Sequence, residues 1–534
     1  MSANEASEHR TSSARKQSAS TSAPPPPSPS FILRGHEATV TALEFFASNT
    51  FLVSGDESGW VCIWDIWKRR QVYKWHGHPS GPILALKPIP YKMHPPEPRG
   101  KLCASSIRQL GENQEQEQEQ EQVYIASHGR DNEIHVWDVN TILQRSLRLS
   151  GRARTHGAAM DQERLTPVFS LPVNAMNFCG MSILAVETTT QSQQQQMREK
   201  GHDREPSSKS DPSSLSKTHR HIYLAVPSPT TSTLIDVYDI VKPERTFASV
   251  GYDNNSGNGN ELDRKWGSVM AIQLFRKKVV SLDRLTLEGG SEPDLDIGTL
   301  HMLAGYEDGS VMLFQENIPV SVSTGQQLSG QTLKQKRKMD ALWSIKCHRQ
   351  PVLALDISSD LSFAVSTGTD NILAKYDLFS QVQGVPEVTK VALKSNGITG
   401  TKIRKDDKII GMAGWDGRVR IYSSKTMKPL AVLKYHRERL DCLDFAAVQD
   451  REHPIEGSVT EQRNSLLSYE ASSSASIQSS DISRAESNQS VDSESSSGED
   501  SDMEDAYEER RQWSRRHWIA VGGKEHRISL WEIY

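Results

Sequence analysis

No run of apolar residues approaches the roughly 18 that a membrane-spanning helix needs, so nothing in the 534 residues reads as a span. The first 30 residues are polar and rich in Ser and Pro, with no apolar central segment, so no secretory signal is expected there. Cysteine is scarce. Five residues (Cys62, Cys103, Cys179, Cys347 and Cys442) lie far apart, with no Cys-x-x-Cys and no His cluster at metal spacing. That excludes a disulfide framework and a zinc site, and reduced core thiols are expected instead. Neither sign of charge dominates: 62 Lys and Arg against 67 Asp and Glu leave a net charge of -5 and no general electrostatic attraction to nucleic acid. Apolar residues make up only 36% of the chain, so part of its length is expected to bury no core.

What the chain does contain is a repeat. Arg34 to Asp65 forms one complete unit: Gly35-His36, the alternating run Val40 to Phe45, then Phe51-Leu52-Val53, a Gly/Asp/Ser turn, and Val61-Cys62-Ile63-Trp64-Asp65. Short period-2 runs between turn residues predict antiparallel strands. Gly-His near the start and Trp-Asp near the end of a unit of about 40 residues is similar to the WD-repeat pattern. Units with variations follow: Ile83–Leu86, Val123–Ser127 and Ile134–Asp138; Val173–Phe178, His221–Val226 and Ile235–Asp239; Val269–Phe275, Leu303–Gly305 and Val311–Phe314. Next come Val352–Ile357, Ala364–Ser366 and Leu373–Asp377; Ile409–Ala413 and Val419–Tyr422; and Leu440–Phe445, Trp518–Val521 and Ile528–Glu532. The resemblance implies an all-β, seven-bladed WD40 β-propeller over 31–534, preceded by a disordered Ser/Pro-rich arm at 1–30.

The spacing supports that count. His36 to Trp64 and His348 to Tyr376 both span 28 positions, whereas His78 to Trp137 spans 59 and His436 to Trp531 spans 95. Low-complexity inserts at 93–122 and 449–514 account for most of both excesses. With 187–219 and 276–299, they fall between the first and second strands of their units. Equivalent loops of a propeller share a face, so one face is expected to carry these four and the other to stay bare. A fifth insert, 317–338, is expected to link two blades. Phe31-Ile32-Leu33 belongs to no earlier unit and is expected to close the ring by pairing with Ile528 to Ile533, since an open ring would leave a long unpaired edge.

In the WD family a His, a Ser or Thr, an Asp and a Trp form a buried hydrogen-bonded set that fixes strand register. By position, the resemblance assigns His78, Ser127, Asp131 and Trp137 in unit two, and His348, Ser366 and Asp370 with Tyr376 in unit five. Unit one has His36, Ser54 and Trp64, with Ser58 at the Asp place. Units four and six keep only Asp308 and Asp416, unit seven has His436, Glu525 and Trp531, and unit three keeps none. A catalytic triad occurs once per site, whereas this set recurs around the ring and reads as scaffold. No catalytic, cofactor or metal residue is assigned.

The turn residues before each Asp-equivalent are expected on the rim of the uncluttered face: Glu57, Arg130, Glu307, Thr369, Trp415 and Lys524, with Trp60 and Tyr306 in similar turns. Trp and Arg are favoured interface anchors, so these residues form a candidate partner-binding rim. Ala485 to Glu509 mixes Ser with acid and suits a solvated or phosphorylated loop, and Lys334 to Lys338 suits nuclear import.

FILRGHEATVTALEF, LVSGDESGWVCIWD, HGHPSGPILAL, AGWDGRVRIY and WIAVGGKEHRISLWEIY together resemble the fungal ASTRA-associated protein 1 family, a branch near the G-protein β-like propellers. That resemblance implies a nuclear, non-catalytic scaffold subunit associated with chromatin remodelling. Its implied partners are a large kinase-like protein, that protein's cochaperones and AAA+ helicases, with no direct nucleic acid and no membrane. The alternatives are another WD40 assembly platform and a cullin-type ubiquitin-ligase substrate receptor. The receptor would favour Trp-Asp-x-Arg after a third strand, and Trp64-Asp65-Ile66-Trp67 and Trp137-Asp138-Val139-Asn140 lack the Arg.

Overall fold

The computed structural model describes residues 27–90, 122–148, 165–175, 178–190, 217–251, 266–278, 298–317, 337–382, 384–449 and 508–533. The expected arm at 1–30 falls almost wholly outside them, as does most of each insert, including Lys334 to Lys336.

The strands form seven four-stranded antiparallel sheets. Blade 1 is β2 (Val40–Phe46), β3 (Phe51–Asp56), β4 (Trp60–Asp65) and β5 (Arg70–His76). Blade 2 is β6 (Ile83–Pro90), β7 (Val123–Gly129), β8 (Glu133–Asp138) and β9 (Pro167–Pro172), with helix α1 (Asn140–Arg148) between its last two strands. Blade 3 is β10 (Ser182–Thr190), β11 (Lys217–Pro227), β12 (Ile235–Asp239) and β13 (Glu244–Val250). Blade 4 is β14 (Val269–Lys278), β15 (Gly298–Tyr306), β16 (Ser310–Asn317) and β17 (Lys338–Lys346). Blade 5 is β18 (Val352–Ile357), β19 (Phe363–Gly368), β20 (Ile372–Val382) and β21 (Val385–Ala392). Blade 6 is β22 (Ile398–Ile403), β23 (Ile409–Gly414), β24 (Arg418–Ser423) and β25 (Pro429–Lys434). Blade 7 is β26 (Leu440–Phe445), β27 (Trp518–Gly523), β28 (Arg527–Glu532) and, from the start of the chain, β1 (Phe31–Arg34).

First strands touch first strands around the ring, β2 to β6 and onward to β26 and back to β2. Closure follows the expected register: Phe31 faces Leu530, Leu33 faces Ile528, and the Ser30 N–H donates to the Leu530 carbonyl. The core lies between neighbouring sheets. Phe51, Val53 and Ile63 of blade 1 pack with Ile83, Ile125 and Trp137 of blade 2. A second strand is thus covered on both faces, which is why β3, FLVSGD, is buried throughout and shows no apolar/polar alternation.

In an up-and-down sheet, the connections after the first and third strands leave from one end and the others from the opposite end. The connections from β6, β10, β14 and β26 all follow first strands and therefore leave from one end, while most of the residues within them lie outside the described residues. Three expectations change. Segment 317–338 does not link two blades, because β16 and β17 flank it in one sheet, and it joins the same end. The opposite end is not bare: the connection from Val250 to Val269 leaves from it. The first strand of unit three is Ser182–Thr190 rather than Val173–Phe178. Val173 and Ala175 instead tie the preceding connection to Asn132 through backbone N–H groups.

The insert 449–514 ends in structure. A short helix at 508–514 brings Trp513 into parallel stacking on Trp518 at 5.2 Å and beside Phe31 at 5.3 Å. Arg69 and Arg516 lie over the Trp513 ring. Arg510 pairs at 2.5 Å with the buried Asp65, which also accepts from Ser146 of α1 at 3.3 Å. One carboxylate of blade 1 thereby holds elements from blades 2 and 7. The four cysteines among the described residues are free and buried, and burial pushes the Cys62 thiol up to about 12.

Candidate partner-binding rim and buried polar sets

Four blades carry the His-centred set. In blade 2, His78 Nδ1 lies 2.9 Å from Asp131, its Nε2 lies 2.7 Å from Ser127 Oγ, and the Trp137 indole donates to the same oxygen at 2.8 Å. The carboxylate fixes the Nδ1–H tautomer, so the serine hydroxyl donates to Nε2 and the relay is fully paired. Blade 5 repeats it through His348, Asp370 and Ser366, with the Tyr376 hydroxyl 2.7 Å from Ser366 in place of the indole. Burial holds the His348 and His436 imidazoles below their usual range despite their carboxylate partners. Burial also works against the Asp131 carboxylate, but the His78 bond prevails and holds it below the usual range.

Blades 1 and 7 correct the sequence assignment. In blade 1 the acid is Asp56, two residues before the expected place. It takes His36 Nδ1 at 2.7 Å and the N–H groups of Ser58 and Trp60, while His36 Nε2 and the Trp64 indole both meet Ser54 Oγ at 2.7 Å. In blade 7 His36's counterpart, His436, meets Glu525 at 2.9 Å, and the missing hydroxyl comes from Ser529 on the third strand. Ser529 faces Val521, the residue standing where other blades have serine, so the hydroxyl has crossed one ladder rung and still receives the Trp531 indole at 3.0 Å. Sequence carried the signals, an acid two residues early and a serine beside the Trp, but only the register joins them.

Asp308 and Asp416 belong to no such set. Asp308 caps Ser310, and Asp416 holds Arg420 in a two-pronged pair at 3.0 and 2.6 Å. In blades 3, 4 and 6 the polar partners are replaced together. Leu393 donates its N–H to the Asn371 carbonyl as His348 does to Gly309, and it packs with Met412 and Tyr422 at the Ser and Trp places. Val173, Val226 and Tyr238 do the same in blade 3, and Ala304 and Phe314 share the core of blade 4.

A further polar belt sits on the innermost strands, one register step from the serine place: Glu44, Lys87, Ser182, Gln273, Asp356, Lys402 and Asp444. Asp444, Asp356 and Ser182 each accept the N–H of an adjacent inner strand (Phe45, Ile403 and Leu274), and Lys87 pairs with Glu44 at 2.5 Å. Burial pushes Asp444 up to about 6, with Lys402 opposing the shift. His128, in β7, is fully buried with neither ring nitrogen partnered, and burial pushes its pKa down to about 3. Among the described residues, His78, Asp131 and His135 lie close enough to share a metal ion. Hydrogen bonds already engage both His78 nitrogens, and His135 Nδ1 meets Ser170 at 2.8 Å.

The candidate rim is brought to one end, because every one of its turns joins a second strand to a third. Trp415 is 45% exposed, and Glu57, Arg130, Glu307 and Lys524 are exposed beside their turns. Lys524 pairs with Glu438 at 3.1 Å, and Glu307 accepts the Ser268 N–H. Three members sit differently from expectation. Tyr306 is not on the rim at all: it ends β15 pointing inward, buried in the core shared by blades 3 and 4. Trp60 is half-buried and stacked on His76 at 4.5 Å, and Thr369 is half-buried. Sequence reasoning missed Phe178, which is 63% exposed with the Arg130 guanidinium over its ring at 4.1 Å. The rim thus holds two exposed aromatic sites, Phe178 beside blade 2 and Trp415 on blade 6, rather than one continuous patch.

Comparison with known proteins agrees with this architecture. The WD domain, G-beta repeat family model matches residues 27–65. ASTRA-associated protein 1 of Aspergillus flavus is 29% identical over 515 residues, covering 95% of this chain and 97% of that protein. The protein of the same name from Penicillium rubens is 28% identical with the same two coverages. Guanine nucleotide-binding protein subunit beta-like protein 1 of Mus musculus is 27% identical over 78% of this chain and 90% of its own length. With seven closed blades and a likeness running nearly end to end, the chain is a seven-bladed β-propeller that carries a WD-repeat match at its start and resembles the fungal ASTRA-associated protein 1 family.

Proposed function

We propose that the protein is a non-catalytic scaffold subunit of the ASTRA complex, holding a neighbouring subunit on the rim that carries Trp415 and Phe178. The observation that carries this reading is the full-length likeness to relatives named for that association, which covers 97% of the Aspergillus flavus protein. The buried sets support a binding role. His78, His348 and their serines are enclosed and mutually bonded, so they serve register rather than a substrate. A nuclear location, and a part in chromatin remodelling and in the maturation of a large kinase-like protein with its cochaperones and AAA+ helicases, belong to the same proposal.

Affinity purification of the tagged chain with mass spectrometry tests it. Recovery of the kinase-like and helicase subunits is expected, and recovery of cullin adaptors in their place would refute it. Trp415→Ala is expected to lower subunit recovery about tenfold at an unchanged melting temperature. Undiminished recovery removes Trp415 from the interface.

A further inference from the structure

Most outer strands of the ring have cover. The helix at 508–514 lies against β1 through Trp513 and Phe31, α1 packs on β5, and β17 touches both β13 and β21. β25 is open. Pro429, Leu430, Ala431 and Val432 are exposed in succession, Leu430 by 59% and Val432 by 38%. An edge strand presents unpaired N–H and C=O groups along its free side, and exposed apolar residues there make it a template for one more strand.

Charge states what would fit. Residues 417–437 contain six Lys or Arg and no Asp or Glu. Arg420 is used internally on Asp416, but Lys425, Lys428 and Lys434 are exposed around the apolar strip, and none enters an ion pair among the described residues. In the same chain, residues 485–509 contain ten Asp or Glu and no Lys or Arg. This acidic stretch runs into the helix at 508–514, which is fixed against the outer strand of blade 7, and blade 7 adjoins blade 6. At ~3.3 Å per extended residue, the stretch could reach ~75 Å, several times the ~10 Å between packed sheets.

We propose that β25, framed by Lys425, Lys428 and Lys434, is the docking edge for the part of the chain's own acidic stretch that precedes this helix, residues 485–507, laid along it in cis. A second copy is the weaker occupant, because two copies paired edge to edge would set lysine against lysine. A tethered segment also has an effective concentration that a free partner lacks. Phosphates added to its serines would strengthen the contact.

The test uses the full chain. Zero-length carbodiimide coupling joins an amine to a carboxylate only where the two touch, and mass spectrometry locates the joined residues in the monomer fraction. Cross-links from Lys425, Lys428 or Lys434 to 485–507 are expected to outnumber those from the exposed Lys408 and Lys524 by about tenfold. An even spread over all exposed lysines overturns the proposal. So does a cross-linked product of dimer mass joining β25 to a second copy. The triple variant Lys425→Glu, Lys428→Glu, Lys434→Glu, all at exposed positions, is expected to speed proteolysis within 485–507 about tenfold with no change in melting temperature. An unchanged cleavage rate at that unchanged melting temperature also overturns it.

Discussion

Blades 1 and 6 solve one packing problem in opposite ways. Blade 1 fills the space between its leading loop and third strand with Asp56, His36, Ser54 and Trp64, each bonded to the next in that order. Blade 6 fills the equivalent space with Leu393, Met412 and Tyr422. The lesson is that a buried polar set is stable as a whole and costly in part. Replacing every partner by apolar groups of similar shape can be nearly neutral, whereas removing one leaves desolvated donors without acceptors.

The largest expected effect comes from breaking a polar blade outright. Removing residues 1–34 takes β1 from blade 7 and uncovers the β28 edge and Leu33's pocket, at a cost of about 5 kcal/mol seen in denaturant unfolding. Removing 1–28 is expected to change little. Next, Asp56→Ala leaves buried His36 and two N–H groups unpaired and is expected to cost about 3 kcal/mol, with Ser54→Ala close behind. The combined change His36→Leu, Ser54→Met, Trp64→Tyr, written in blade 6's idiom, is expected to cost less than the sum of its single changes. A sum that is simply additive breaks the comparison. In the reverse direction, Met412→Ser puts an orphan hydroxyl and a gap into blade 6 and is expected to cost about 2 kcal/mol.

A smaller effect separates the blades by pH. Burial holds His348, His436 and His128 below their ordinary values in the fold, so the unfolded chain takes up protons first as pH falls below about 6.5. Their contribution is present above that pH and is lost on acidification, for His128 down to about 3. Asp444, pushed up to about 6, opposes this trend, because its folded form gains a proton before its unfolded form. Asp56 and Asp131, held low, add losses only below their ordinary 3.8. His128→Leu is therefore expected to flatten the fall in melting temperature between pH 7 and 5, and a curve parallel to that of the parent chain would contradict its buried neutral state.

The legibility of these features was uneven for physical reasons. The seven units, the closing strand at Phe31 to Leu33 and the complete set of blade 2 all follow local periodicity and fixed offsets, which survive in a linear reading. Asp56 and Ser529 did not, because each acts from a place displaced along or across a ladder, and pairing distance is not a sequence distance. Tyr306 occupies a turn-like context yet points into the core, since the adjoining blade supplies Ile235 and Val250 to the cluster that receives it. The helix at 508–514 follows an acidic Ser-rich tract, and it becomes visible only once Phe31, Arg69 and Trp518 are brought around Trp513.

The sequence by itself determined the number of sheets, their order and the fact of closure, because alternating strands and turn residues are short-range choices that each unit makes alone. Tertiary structure decided which acid meets which histidine, which aromatic is buried and which edge stays uncovered, because those outcomes depend on groups brought together from neighbouring blades and from opposite ends of the chain.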